Sequence, residues 1–171
     1  MSNSLRLSPY DLYLDPLLAF QDARLKDLHA YWLAKRQGRA MPARADVHPA
    51  EIISHLPTVF LIGVEKQSRK PEDFRIRLMG TALNELFGFD ITRMTLLDGL
   101  DTEYAKFGAK LLAIVCELRR PIRLHGRLAL HGRPGVTPIE VALFPLSSSG
   151  KQVDVLLGEL VKRGAAVEAA A

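Results

Sequence analysis

The segment that decides the fold is Ile122-Arg123-Leu124-His125-Gly126-Arg127-Leu128-Ala129-Leu130. Apolar residues alternate here with polar or small ones, and this period of two is typical of a strand that buries one face. Two more alternating runs follow at residues 139–144 and 153–157. Pro134-Gly135 and the serine-rich residues 147–150 separate the runs and have turn character. The sequence therefore predicts three consecutive antiparallel strands.

The alternation also predicts which residues face the core. Leu124, Leu128 and Val141 share one face, whereas Arg127 and Glu140 share the other in any hairpin with an even-length loop. A loop of about four residues would make Arg127 and Glu140 an oppositely charged cross-strand pair. The core is therefore expected on the leucine and valine side of this hairpin.

A long helix is predicted just before these strands, at residues 101–120. Asp101 stands at its N-cap position, Glu103 lies in its first turn, and Pro121 ends it. Apolar residues recur at helical spacing along one face: Tyr104, Phe107, Leu111, Ile114, Val115 and Leu118. A face this wide predicts that the helix packs across the sheet.

Two more strands and a short helix are predicted further upstream. Residues 56–64 form a mostly apolar run rich in β-formers, and residues 74–78 alternate strictly between apolar and cationic positions. Residues 81–87, between Gly80 and Gly88, indicate a short helix.

The cationic positions of the second strand are Arg75 and Arg77. A solvated face, or an ion pair with an acid such as Glu65 or Glu72, is favoured for them. Recognition of an anionic ligand is the alternative, because guanidinium groups match carboxylates and phosphates.

The N-terminal third predicts one helix between two irregular segments. Asp22 offers an N-cap for a helix at residues 22–37, and Gly38 ends it. Residues 1–21 contain two prolines and no clean period, so they are interpreted as an irregular arm, and residues 38–48 as a linker.

The last strand predicts a second apolar face that needs a cover. If its connection has odd length, Val155 and Leu157 join the core and Phe144 and Leu156 lie on the opposite face. That face is too apolar to be bare, so the helix at 22–37 or a partner chain should cover it. The candidate interface residues are Leu25, Leu28, Trp32, Phe144 and Leu156. Changing Trp32 to Glu is expected to disrupt self-association or partner binding and leave the fold intact.

Composition narrows the class of protein. The 171 residues carry a net charge of +4, but basic residues are scattered rather than clustered, which argues against nucleic-acid binding. The single cysteine, Cys116, excludes an internal disulfide. The sequence has neither a signal peptide nor an apolar run of roughly 18 residues, so a cytoplasmic protein without membrane insertion is expected.

The order strand, strand, short helices, long helix and three strands is the order of a PAS domain, and the chain resembles the bacterial single-domain PAS family often numbered the fifth. The matching segments are Tyr31-Trp32 with Arg36 and Gly38, Pro42-x-Arg44-x-Asp46-x-x-Pro49, Leu56-Pro57 with Phe60-Leu61, Asp73-Phe74-Arg75-Ile76-Arg77-Leu78-Met79-Gly80-Thr81-Ala82-Leu83, and Leu86-Phe87-Gly88.

The resemblance implies an α+β fold. Its sheet would have five antiparallel strands in the order 2-1-5-4-3, with helices over one face and an N-terminal flanking helix. The PAS domain would span residues 49–163, preceded by the arm, helix and linker at 1–48 and followed by a flexible tail at 164–171. It also implies a small-molecule pocket between sheet and helices, without naming the ligand.

The residues supply no haem, flavin or metal signature. A haem-binding PAS domain commonly uses a histidine on the long helix, and residues 101–120 contain none. Flavin photosensors of this fold use a cysteine in an Asn-Cys-Arg-Phe-type segment before the long helix, whereas Cys116 lies late in it. The histidines lack ligand spacing; His125 and His131, for example, would lie about 20 Å apart on one strand. No cofactor and no metal are therefore expected.

These features favour a stand-alone sensor or adaptor domain that is not an enzyme. It would act through contact with an unidentified signalling protein, or as a homodimer, and a small molecule in the pocket would modulate it. The candidate pocket residues are Leu78, Leu83, Phe87, Phe107, Leu111, Leu124, Leu128 and Val141.

Two alternatives remain open. A small enzyme or ligand carrier could use the same pocket, but catalysis would need a paired acid and base inside it. A nucleic-acid binder would use arginines of one sheet face, namely Arg75, Arg77, Arg123 and Arg127.

Overall fold

The computed structural model describes residues 3–130 and 132–164. His131 and, from residue 165 on, the predicted tail lie outside the described residues.

One antiparallel sheet organises the described chain. Its strands are β1 (Leu5–Arg6), β2 (Asp11–Asp15), β3 (Val59–Val64), β4 (Phe74–Met79), β5 (Ile122–Leu128), β6 (Thr137–Leu146) and β7 (Val155–Lys162). Their spatial order is β1-β2-β5-β6-β7-β3-β4. The last five of these, read from β4, give the predicted order 2-1-5-4-3, so the PAS-like architecture is confirmed.

The five predicted strands are present, but the predicted irregular arm is not irregular throughout, because it adds β1 and β2 to the sheet. β2 pairs with β5 from Asp11 opposite Arg127 to Asp15 opposite Arg123. Leu12 and Leu14 bury their side chains, while the polar residues of β2 alternate with them. β2 thereby covers the edge of β5, whose backbone groups would otherwise lack strand partners.

Four α-helices flank the sheet in the described residues: α1 (Ala23–Arg36), α2 (Thr81–Phe87), α3 (Leu96–Gly99) and α4 (Thr102–Leu118). The helices predicted at 22–37, 81–87 and 101–120 are confirmed at α1, α2 and α4. Asp22 caps α1 by accepting the backbone N–H of Arg24 at 2.9 Å. α3 was missed, because one turn of helix is too short to show a period.

The connections differ from the predicted hairpins. Leu128 pairs with Thr137, so the first loop is longer than predicted and Arg127 lies opposite Pro138, while Glu140 lies opposite His125. Arg127 and Glu140 still share a face, because the loop is even, but they are not direct partners.

The second connection reverses a predicted face. Leu146 pairs with Val155 across residues 147–154, an even number where an odd one was expected. Leu157 therefore lies opposite Phe144, on the same face, and Leu156 lies opposite Pro145 on the other face. The prediction that Leu156 joins Phe144 was wrong.

The candidate interface residues lie inside this chain. Leu25, Leu28, Phe144 and Leu156 have no exposed surface, and Trp32 is 2% exposed. The rings of Trp32 and Phe144 are 6.1 Å apart, because α1 itself packs on β6. The interface prediction is therefore corrected: α1, and not a partner chain, covers Phe144.

Within the described residues, the structure contains no helix that is both long and apolar enough to cross a membrane.

Candidate ligand-binding cavity

A cavity of about 460 Å³ lies between α4 and the sheet. Leu124, Val141 and Leu160 stand side by side on β5, β6 and β7 and form its floor. Tyr104, Phe107 and Leu111 occupy one face of α4, at spacings of three and four residues, and form its roof. The alternation of the strands and the helical spacing of α4 therefore turn these floor and roof residues towards each other.

Six of the eight candidate pocket residues line this cavity: Phe87, Phe107, Leu111, Leu124, Leu128 and Val141. Leu83 instead packs in the core with 2% exposure, and Leu78 lies opposite Leu61 on β4, away from the cavity. Leu78 was misplaced because β6, β7 and β3 separate β4 from β5. Leu83 lies one turn before Phe87 on α2, and of these two only Phe87 lines the cavity.

Sequence reasoning missed several lining residues. Ile139 follows from the same alternation as Val141, and Leu160 follows once the even connection is known. Leu12 comes from β2, which was not predicted. The remaining missed lining residues are Phe89, Asp98, Gly99, Leu100, Asp101, Tyr104, Ala129 and Leu130, from loops and helix ends.

The mouth of the cavity is polar. Asp98 accepts a hydrogen bond from the Thr95 hydroxyl at 2.8 Å, and Thr95 in turn accepts the Asp98 backbone N–H at 3.2 Å. The Tyr104 hydroxyl donates to the Ala129 carbonyl at 3.3 Å. Asp101 stands at the N-cap of α4, but its side chain makes no capping hydrogen bond. The side chains at this rim therefore offer mainly hydrogen-bond acceptors.

A second cavity, of about 360 Å³, lies on the other side of the same α4 residues. It shares Phe107 and Leu111 with the first, and the turn between β1 and β2 forms its opposite wall. In that turn Tyr10 stacks on Tyr104 at 5.1 Å and meets Phe107 edge-on at 4.4 Å. The roof of the first cavity is thus held from behind by the N-terminal strands.

Cys116 lies apart from both cavities. It is 9% exposed, and burial, with the neighbouring Glu117 charge, raises the pKa of its thiol to about 12. A thiol in this state is a poor nucleophile. Among the described residues, no group of histidine, cysteine or carboxylate side chains has a metal-binding arrangement.

The sheet face under α1 carries a buried charge cluster, formed by Asp15, Arg123 and Glu140. The Arg123 guanidinium bonds Glu140 at 2.6 Å and Asp15 at 3.1 Å. Glu140 also accepts the backbone N–H groups of Gln21 and Asp22 at 2.8 and 2.9 Å. This cluster therefore fixes the turn through which the chain enters α1.

Asp15 completes the cluster from β2. Burial raises the pKa of Asp15, but hydrogen bonds from the backbone N–H groups of Ala19 and Leu17 and from Arg123 outweigh it, so the pKa lies below its ordinary 3.8. The carboxylate is thus held in its charged form.

Glu159 forms a second buried contact on this face. It bonds His55 at 2.9 Å and accepts the Thr58 hydroxyl at 2.7 Å. The contact ties β7 to the turn that precedes β3.

Acids neutralise most of the arginines that a nucleic-acid interface would need. Arg75 pairs with Glu65 at 2.5 Å, in line with the ion pair favoured from the sequence, and Arg127 pairs with Asp11 at 2.7 Å. Arg123 is 5% exposed within its cluster. Arg77 remains exposed on β4. These four arginines therefore do not form a continuous exposed basic surface of the kind that nucleic acid requires.

Solved PAS structures are similar to this chain. The PAS domain of Bordetella pertussis BvgS is 14% identical, covers 85% of this chain and 92% of its own, and superposes with a TM-score of 0.53. A LOV protein from Rhodobacter sphaeroides is 14% identical over 88% and 72% of the two chains, with a TM-score of 0.47. At such identities the likeness to BvgS concerns the fold alone.

Sequence comparison identifies the family. None of the curated proteins matches this sequence. A PAS domain family model matches residues 20–161, which is most of the chain. The chain therefore belongs to the PAS domain family, whose members are generally sensory signalling domains.

Proposed function

We propose that this chain is a stand-alone sensor or adaptor that binds a small apolar molecule between α4 and the sheet. It would pass the signal on through contact with another protein. The cavity carries this proposal. Its volume of about 460 Å³ falls inside the range of about 300–1,000 Å³ typical of small-molecule sites, and its floor and roof are mostly apolar.

The cavity favours binding over catalysis. An acid–base mechanism needs two titratable groups in contact within reach of the substrate. The carboxylates of the rim, Asp98 and Asp101, are exposed at the mouth, and the Tyr104 hydroxyl is directed to the Ala129 carbonyl. This arrangement supports a sensor, or a ligand carrier as the alternative, more than an enzyme.

We also propose that the protein acts in the cytoplasm as a homodimer. The lone, buried Cys116 suits a reducing compartment. A dimer cannot use Trp32 or Phe144 while α1 is docked, so it would form through other surfaces. Light scattering tests the homodimer, because a dimer has twice the 19.0 kDa mass of one chain.

Native mass spectrometry of protein purified from its own host tests the ligand proposal. We compare the wild type with Leu128→Trp, which fills the cavity from β5, and with Leu118→Trp, which places the same bulk on an exposed residue outside it. The wild type and Leu118→Trp should carry one small-molecule mass that Leu128→Trp loses, while circular dichroism confirms that all three are folded. Equal loading of both variants, or no adduct on the wild type, would contradict the proposal.

A further inference from the structure

We propose that the molecule held in the cavity is an apolar amine, bound with its protonated nitrogen at the mouth, and that anionic molecules of the same shape are rejected. This inference rests on the proposed function and adds the chemical class of the ligand.

The charge of the lining points to this class. Asp98 and Asp101 are the carboxylates of the cavity wall, and no lysine, arginine or histidine among the described residues lines it. A ligand carboxylate or phosphate placed at this rim would therefore meet two carboxylates, and Arg75, whose charge interacts with Asp98, is already paired with Glu65. An ammonium group would meet two opposite charges instead.

The hydrogen bonds at the mouth point the same way. The Tyr104 hydroxyl uses its proton on the Ala129 carbonyl, which leaves its oxygen as an acceptor. Asp98 receives the Thr95 hydroxyl on one oxygen and keeps its other oxygen as an acceptor. Ionised carboxylates only accept hydrogen bonds, so these side chains suit a ligand that donates them. An ammonium group supplies three donors.

The positive end of the α4 dipole lies at the same mouth and would favour an anion by itself. Asp101 at the N-cap opposes it, whereas Glu103 in the first turn pairs with Lys106 at 3.5 Å. The basic residues of this helix, Lys106 and Lys110, line the second cavity behind the roof, not the first. Among the described residues, α4 therefore brings no cation to the first cavity, because its lysines lie with Glu103 at the second one.

Three probes with one apolar body test this inference: 4-phenylbutylamine, 4-phenylbutanol and 4-phenylbutyrate, measured by isothermal titration calorimetry at neutral pH. The wild type should bind the amine most tightly and the carboxylate most weakly. The double variant Asp98→Asn/Asp101→Asn should weaken amine binding about threefold to tenfold, as expected for two exposed charge contacts. Asparagine still suits the N-cap, so α4 should remain folded.

Glu103→Gln is the matched control, because it removes one acid from the same turn of α4 but outside the lining of the first cavity. It should leave the amine preference unchanged. Carboxylate binding as tight as amine binding, or an amine preference that survives Asp98→Asn/Asp101→Asn, overturns this inference and leaves the proposed function standing. Failure of all three probes to bind, or equal binding by Leu128→Trp, overturns the proposed function as well.

Discussion

Trp32 shows how one residue joins α1 to the sheet. Its indole N–H donates to the Pro145 carbonyl at 2.9 Å, and its ring packs near Phe144. The side chain is 2% exposed, which places it among the largest fully buried groups of the chain. It is therefore a core residue of the interface between helix and sheet.

Trp32→Glu should unfold or strongly destabilise the protein, contrary to the expectation from sequence that only self-association or partner binding would suffer. The change removes a large buried ring and introduces a charge without a partner, which costs at least about 3 kcal/mol of unfolding free energy. Urea denaturation measures the loss. Leu33→Glu, at a neighbouring position that is 44% exposed, is the control and should change stability little. A Trp32→Glu protein of normal stability but altered mass would instead support a role in self-association.

His29 adds a pH dependence at the same contact. Its ring lies 5.5 Å from Phe20 and 5.9 Å from Phe144, and burial lowers its pKa below the ordinary 6.5. The unfolded chain therefore takes up this proton first as the pH falls. The stability that depends on neutral His29 is complete above pH 6.5 and is lost as the pH falls through the lowered pKa.

His29→Phe should flatten the decline of stability below pH 6.5. The phenyl ring keeps the aromatic contacts and removes the proton-binding site. Thermal unfolding at a series of pH values from neutral downward measures the slope. The same substitution at His48, which is exposed, controls for the loss of an imidazole as such. An unchanged slope in His29→Phe would mean that His29 is not the titrating group.

At the scale of elements, two arginines on one face of β5 offer a matched comparison. Arg123 pairs with Asp15 and Glu140 inside the protein, whereas Arg127 pairs with Asp11 at the surface. Breaking a buried pair leaves an uncompensated charge, whereas an exposed pair contributes little because water screens it.

Arg123→Gln should therefore cost about 3–5 kcal/mol of unfolding free energy and Arg127→Gln at most about 1 kcal/mol. Urea denaturation of both variants provides the values. Because the Arg123 cluster fixes the turn before α1, limited proteolysis should also cut residues 15–22 faster in Arg123→Gln than in Arg127→Gln. Equal costs for the two substitutions would show that the cluster does not anchor α1.

Residues at the ends of the helices predicted where α4 and α1 lie. Asp101 and Pro121 bracket α4, and Asp22 and Gly38 bracket α1, so flanking residues and apolar spacing together could locate both helices. β2 could not be located in this way, because five residues between prolines give too short a period. Its identity as a strand depends on pairing with β5, more than 100 residues away.

Contacts between distant parts of the chain also decide which face of a strand a side chain occupies and which charges are buried. An odd or even number of residues in the connection at 147–154 decides whether Leu157 or Leu156 faces α4. No local residue determines the length of this connection. Arg123 lies between apolar residues of β5, a pattern that a solvated residue would also show. It is buried because Asp15 of β2 and Glu140 of β6 form ion pairs with it. Five of the candidate pocket residues, Phe107, Leu111, Leu124, Leu128 and Val141, line the cavity because helical spacing and strand alternation turn them to it.

For the whole molecule, the proposed sensor function depends on a ligand between α4 and the sheet. α1 and the buried charges secure the opposite face, and the Tyr10 stack supports α4 from behind. Binding should therefore change the dynamics on the α4 side and leave the α1 side unchanged.

Hydrogen–deuterium exchange measures this directly. The protein as purified from its host is compared with the same protein stripped of small molecules by unfolding and refolding. We expect slower exchange in the loaded protein across α4 and residues 87–101, with no difference in α1. Identical exchange in both samples around the cavity, or a difference confined to α1, would contradict it.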